Sequence, residues 1–170
     1  MTATRDCIRE YIATHPGQHF NGVTRALDLA PGQTQYHLRE LRREGAVVTE
    51  PLYGRTHYYT PEYNEQEHRA IGVLRRETAR DIVLYLLEHN AADPNTVTGA
   101  LDIARSTLEW HLDHLVEQGL VEKQRDQYNR VTLVVADPSE AVRLLAAIRP
   151  SLSDRMLDRF TRLVDTLLSE

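Results

Sequence analysis

A single cysteine, a single lysine, a single tryptophan and two phenylalanines stand among 170 residues, and each scarcity excludes something. Cys7 alone cannot form an internal disulfide or a cysteine-rich zinc site. No stretch approaches the roughly 18 uncharged apolar residues that span a bilayer, so no membrane partner is expected. The opening MTATRDCIREY carries Arg5, Asp6 and Arg9 where a signal peptide needs an apolar core, which implies a cytoplasmic location. There is no glycine-rich phosphate loop, no G-x-S-x-G and no HExxH. No nucleophile lies beside a base and no carboxylates are paired, so neither enzyme activity nor a cofactor is expected. His111, Asp113 and His114 lie within one helical turn. No second cluster supplies the remaining ligands of a zinc site, and no metal or small-molecule ligand is expected.

The charge that is present is lopsided. Of 20 cationic side chains all but Lys123 are arginine, and the net charge is −5. Residues 1–61 carry 7 arginines against 6 acids, while residues 62–170 carry 13 basic against 19 acidic groups. The first third is therefore the part least repulsive to a polyanion.

The organising feature is a repeat. A shift of 74 residues aligns Ile8–Val47 with Ile82–Val121 without a gap, and fifteen of the 40 positions are identical. They include Ile8/Ile82, Tyr11/Tyr85, His15/His89, Val23/Val97, Asp28/Asp102, His37/His111, Leu38/Leu112, Leu41/Leu115 and Gly45/Gly119. Most of the apolar identities fall at helical spacing, so one three-helix core is built twice.

In the first copy a helix is predicted near Thr4–Thr14, with Ile8, Tyr11 and Ile12 inward and Cys7 beside that stripe as a small hydrophobe. His15-Pro16-Gly17 ends it. A second helix spans about Asn21–Asp28, burying Val23, Ala26 and Leu27. Ala30–Gly32 reads as a turn and Gln33–Glu44 as a third helix with Thr34, Leu38 and Leu41 on one stripe. Val47–Glu50 and Thr56–Thr60 alternate as two strands around a loop containing Gly54. Helices near Glu67–Arg76 and Thr78–His89 follow. Asp93-Pro94 opens the next, and Ser106 or Thr107 begins the counterpart of the third helix. A second hairpin is predicted at Leu120–Gln124 and Arg130–Ala136, with a tip about one residue longer. Asp137-Pro138-Ser139-Glu140 has the form of a helix start, with Val142, Leu145 and Ile148 inward.

The segments LDLAPGQTQYHLRELRREGAV and LDIARSTLEWHLDHLVEQGLV resemble the helix-turn-helix signature of ArsR-like and MarR-like regulators. The resemblance covers about residues 4–136 and implies a mainly α fold with small β wings: two tandem winged helix-turn-helix domains, at 1–61 and 62–136, with helices at 137–170. The arginine-rich, acidic composition also resembles that of proteins from extreme halophiles, and the tandem arrangement that of archaeal regulators. The resemblance to those regulators further implies that Gln33, Gln35, Tyr36 and Arg39 face base edges, that Thr34 belongs to the same DNA-binding set, that Arg42 and Arg43 meet phosphates, and that Arg55 at the wing reaches the minor groove or backbone. The implied function is a sequence-specific, duplex DNA-binding transcriptional regulator. An adaptor binding protein through its winged helices is the alternative.

The second copy carries Arg105, Thr107, Glu109, Trp110, Asp113 and Glu117 on the corresponding face. Carboxylates repel phosphate, so this helix is expected not to read DNA and to offer Glu109, Trp110 and Asp113 to protein. The basic wing residues Lys123, Arg125 and Arg130 could still graze DNA. In the tail Leu152, Met156, Phe160, Leu163 and Leu167 recur every three or four residues, a stripe too wide for one exposed helix. It predicts a homodimer interface that sets two N-terminal domains on palindromic half-sites.

Overall fold

The computed structural model describes residues 2–148 and 164. The expected dimer stripe, Leu152, Met156, Phe160, Leu163 and Leu167, lies outside the described residues. Contacts divide the chain into two units, residues 1–75 and 76–170. In the first, α1 (Thr2–Thr14), β1 (Gln18–His19), α2 (Phe20–Ala26) and α3 (Pro31–Arg43) precede β2 (Val48–Leu52), β3 (Arg55–Tyr59) and α4 (Glu65–Leu74). In the second, α5 (Glu77–His89), α6 (Pro94–Leu101) and α7 (Arg105–Glu117) precede β4 (Val121–Arg125), β5 (Val131–Val135) and α8 (Pro138–Ala147).

Ile8 and Ile12 of α1, Val23 of α2 and Leu38 and Leu41 of α3 close the first core with Val47 and Tyr58. The stripe of α1 is as its spacing predicts, but Cys7 and Ala26 face solvent. The expected turn at Ala30–Gly32 is instead the start of α3: Ala30 is its extended N-cap and Pro31 its first residue, where a missing N–H costs nothing. The chain reverses one step earlier, at Asp28, whose φ is +50°, matched by Asp102 at +53°. A short polar side chain tolerates the left-handed region, which explains why aspartate recurs there.

The ends of α3 and α7 are also one device used twice. Gly45 and Gly119 take φ of +75° and +72°. Ala46 N donates to Leu41 O at 2.9 Å and Gly45 N to Arg42 O at 3.1 Å. Leu120 N and Gly119 N repeat the pair on Leu115 O and Val116 O at 2.9 and 3.0 Å. These are Schellman closures, which glycine alone enters without strain.

β1, β3 and β2 form an antiparallel sheet in that order, with Gln18 opposite Tyr58 and Val48 opposite Tyr59. Both strands of the hairpin run further towards the tip than their alternation suggested. Two residues connect them, Tyr53 and Gly54, at φ +47° and +81°. That is the sign pattern of a primed turn, which matches strand twist. The second hairpin has five connecting residues, 126–130, so its tip exceeds the first by more than the single residue expected.

The predicted domain boundary at residue 61 falls too early. α4 packs on the sheet of the first unit, with His68 stacked on Tyr59 and Gly72 against Leu52, and Ala70, Ile71, Val73 and Leu74 are buried as well. The approach is close at Gly72, where a Cβ would stand 2.8 Å from Leu52 Cδ2 and 3.3 Å from the Tyr59 hydroxyl. The Asn64 side chain accepts from Glu67 N at 2.8 Å, and the Glu67 carboxylate returns the contact. That capping box starts the helix. In α8 the inward residues are Ala141, Leu144, Leu145 and Ile148, with Val142 only half-buried.

The first unit buries several imidazoles. His57 bonds Gly17 O through Nδ1 at 2.7 Å, His68 stacks on Tyr59 at 4.2 Å, and His37 is on the buried face of α3. Burial lowers the pKa of His68 and His37, helped at His37 by Arg5 and opposed at His68 by Glu50, Glu67 and Glu65. The unfolded chain therefore binds more protons than the fold once pH drops below the ordinary histidine value of about 6.5. Stability is expected to be level above that pH and to fall from 6.5 towards 5, before the carboxylates titrate. The thermal midpoint measured at pH 7.5 and 5.5 checks this; an unchanged or higher midpoint at 5.5 contradicts it.

Candidate nucleic-acid interface

Because Thr34, His37, Leu38 and Leu41 turn inward, α3 presents Gln33, Gln35, Tyr36, Arg39, Arg42 and Arg43 outward. Thr34 belongs with the core rather than with the proposed contacts. It is fully buried, and its hydroxyl donates to Ala30 O at 3.2 Å. The i, i+4, i+7 stripe puts a small polar residue inside when its hydroxyl can bond its own helix.

Tyr36 is 42% exposed. Arg39 and Arg42 form no ion pair with another described residue, whereas Arg43 is held by Glu40 at 2.6 Å. Two grooves adjoin the helix, with Arg39 and Arg42 lining both. One of about 540 Å³ lies among Phe20, Pro31, Gly32, Gln35, Leu38, Arg39, Arg42 and Tyr58. The other, about 530 Å³, runs along Arg39, Arg42, Arg43, Val47, Val48 and Thr49. Arg55 is exposed just past the wing tip. The His19 pKa is lowered first by burial and then by Arg55, Arg25 and Arg75, so the wing base is cationic as well.

The same positions of α7 are different in kind. Glu109 is bridged by Arg105 and by Lys123, each at 3.0 Å, and its carboxyl pKa is held down chiefly by the Lys123 hydrogen bond. Trp110 is 46% exposed, with the Arg76 guanidinium 5.1 Å from its ring centroid and His114 edge-on at 4.3 Å. Val116, the counterpart of Arg42, is 40% exposed. The basic wing is already engaged: Arg125 bonds Asn129 at 3.1 Å and Arg130 bridges Asp126 at 2.8 Å. The longer-range pairings, Lys123 with Glu109 and Arg76 with Trp110, left no mark in the sequence pattern. Among the described residues no group of three or more His, Cys, Asp or Glu side chains could hold a metal, and no helix is long and apolar enough to cross a membrane.

Residues 2–71 match the family model HTH_HVO_0163_N, described as an N-terminal HTH domain, almost the full span of the first unit. Over that span the first unit is similar to a helix-turn-helix domain. The chain is also similar to an uncharacterised HTH-type transcriptional regulator of Methanocaldococcus jannaschii, 25% identical over 135 residues. That match covers 79% of this chain but only 34% of the relative, so the chain spans about a third of its length. A transcriptional regulator homologue from Pyrococcus horikoshii OT3 superposes with a TM-score of 0.43 at 23% identity, over 50% of this chain and 92% of that one. Reduced AbfR bound to DNA gives 0.42 at 16% identity, over 81% and 91%. Likeness at this level assigns no role to any residue of the first unit.

Proposed function

We propose that this chain is a transcriptional regulator that binds duplex DNA in a sequence-specific way through the first unit, with α3 in the major groove. The observation that carries this reading is the exposed face of α3, where Arg39 and Arg42 have no carboxylate partner among the described residues. An arginine kept on a surface without a counter-charge is available to phosphate or to the guanine edge. Gln33 and Gln35 add side chains suited to adenine, and Arg55 extends the contact through the wing. The family match of residues 2–71 and the regulator relative support the same reading.

The repeated element order supports tandem winged helices, of which the second has its would-be contact face neutralised internally. The exposed Trp110 and Val116 favour a second reading for that unit, contact with protein rather than DNA. The tail stripe supports a homodimer. A Phe160→Asp variant is expected to run as a monomer in light scattering and to bind a palindromic site at least tenfold more weakly than the wild type. A monomeric wild type contradicts the dimer. The DNA reading itself is tested by mobility shift of promoter fragments in molar KCl, against the same fragments in random-sequence competitor. Retarded complexes that survive competitor are expected; none at any salt contradicts it.

A further inference from the structure

One part of the first unit is unexplained by packing. Tyr58 is only 9% exposed, and its ring belongs to the core with Ile8, Leu38 and Leu41. Phenylalanine would fill that space equally well. Yet Tyr58 lines the groove between α2, α3 and β3, and its hydroxyl has no hydrogen bond to another described residue. Burial raises its pKa while the Arg42 guanidinium pulls it back, so the two groups lie within electrostatic reach. The phenol stays a neutral donor across the whole neutral range.

The first turn of α3 lines the same groove. Its N-cap, Ala30, offers no side-chain acceptor, and Pro31 has no N–H. The amides of Gly32 and Gln33 are thus opening donors of a 13-residue helix, at its positive end. A Cβ at Gly32 would meet nothing within 4 Å, so the approach is open. Arg39 and Arg42 stand on the rim, Phe20 and Leu38 form apolar walls, and among the described residues no carboxylate lines the groove.

We propose that this groove seats one phosphodiester of the DNA backbone, with the Tyr58 hydroxyl and the first amides of α3 as donors and Arg42 as counter-charge. The proposal rests on the DNA reading of the first unit. The donors match an oxyanion, and the apolar walls match the deoxyribose on either side of it.

The test is Tyr58→Phe, measured on a random-sequence duplex and on the best-bound promoter fragment across a salt series. About fivefold weaker binding is expected on both, as for loss of one hydrogen bond, with the salt slope unchanged because the phenol is neutral. Arg42→Gln should instead flatten the slope by about one unit. Wild-type affinity in Tyr58→Phe, with Arg42→Gln weakened, overturns the phosphate seat and leaves the DNA reading intact. If neither substitution matters, the DNA reading falls with it. Inorganic phosphate at matched ionic strength should displace DNA no better than chloride; displacement that Tyr58→Phe abolishes would assign the seat to free phosphate instead. Where Tyr58→Phe lowers the unfolding midpoint, trifluorotyrosine at position 58 keeps the ring and lowers the phenol pKa. DNA affinity should then drop as pH rises and the phenolate forms; a flat profile overturns the seat.

Discussion

Replacing Arg39 and Arg42 together by glutamine is expected to weaken binding to the preferred duplex by at least about 100-fold. A charge-assisted hydrogen bond contributes about 1.5–3 kcal/mol, and two are removed. The dependence of log affinity on log salt should flatten by about one unit, since Arg42 is the one set against phosphate and each phosphate neutralised releases roughly 0.9 of a counterion. Both residues are exposed, so the unfolding midpoint should stay within a degree or two of wild type. Arg43→Gln should cost less, because Glu40 already holds that guanidinium at 2.6 Å. Filter binding or fluorescence anisotropy from 0.2 to 2 M KCl measures all three. An unchanged slope in the double variant contradicts the interface.

The largest stability effect is expected at Gly17. Its φ is +80°, and an added Cβ would stand 2.7 Å from Ile71 Cγ2 and 3.2 Å from the Tyr59 hydroxyl. The residue also works through its backbone: its N–H donates to Tyr58 O at 2.9 Å, and its carbonyl accepts from His57. It ties the β1 edge to the central strand and lets α4 approach from the other side. Alanine there meets left-handed strain of about 1–2 kcal/mol and crowding of about 1–3 kcal/mol. The sum, about 2–5 kcal/mol, is a large share of a small domain's stability. Urea unfolding followed by circular dichroism should show the first unit's transition moved to lower denaturant. Gly32→Ala is the contrast, because nothing crowds it and its backbone is helical. It should be neutral or slightly stabilising.

Much of the architecture was legible because it depends on local chemistry. The helix stripes follow the 3.6-residue period, Asp93 and Asp137 cap α6 and α8, and Gly45 and Gly119 end their helices. Two of the repeated pairs, Asp28/Asp102 and Gly45/Gly119, carry left-handed backbone in both copies. What was not legible depended on contacts distant in sequence. β1 is two residues long and exists only through pairing with β3. The reach of the first unit to residue 75 follows from α4 lying on the wing, with nothing in PEYNEQ to announce it. Thr34 is the exception within α3: the helical stripe places it inside, the resemblance places it among the DNA contacts, and the fold follows the stripe. The site was half readable in the same sense. The arginines of α3 stand out in the sequence, whereas Tyr58, contributed from β3, came to the groove only through folding.

The central claim is that the outer face of α3 lies against duplex DNA. Benzoylphenylalanine placed at position 36, with the same group at position 10 on the exposed side of α1 as control, tests it by photocrosslinking to a bound promoter fragment in molar KCl. Crosslinks from position 36 and none from position 10 are predicted. Equal yields from both, or crosslinks from position 10 alone, contradict the account.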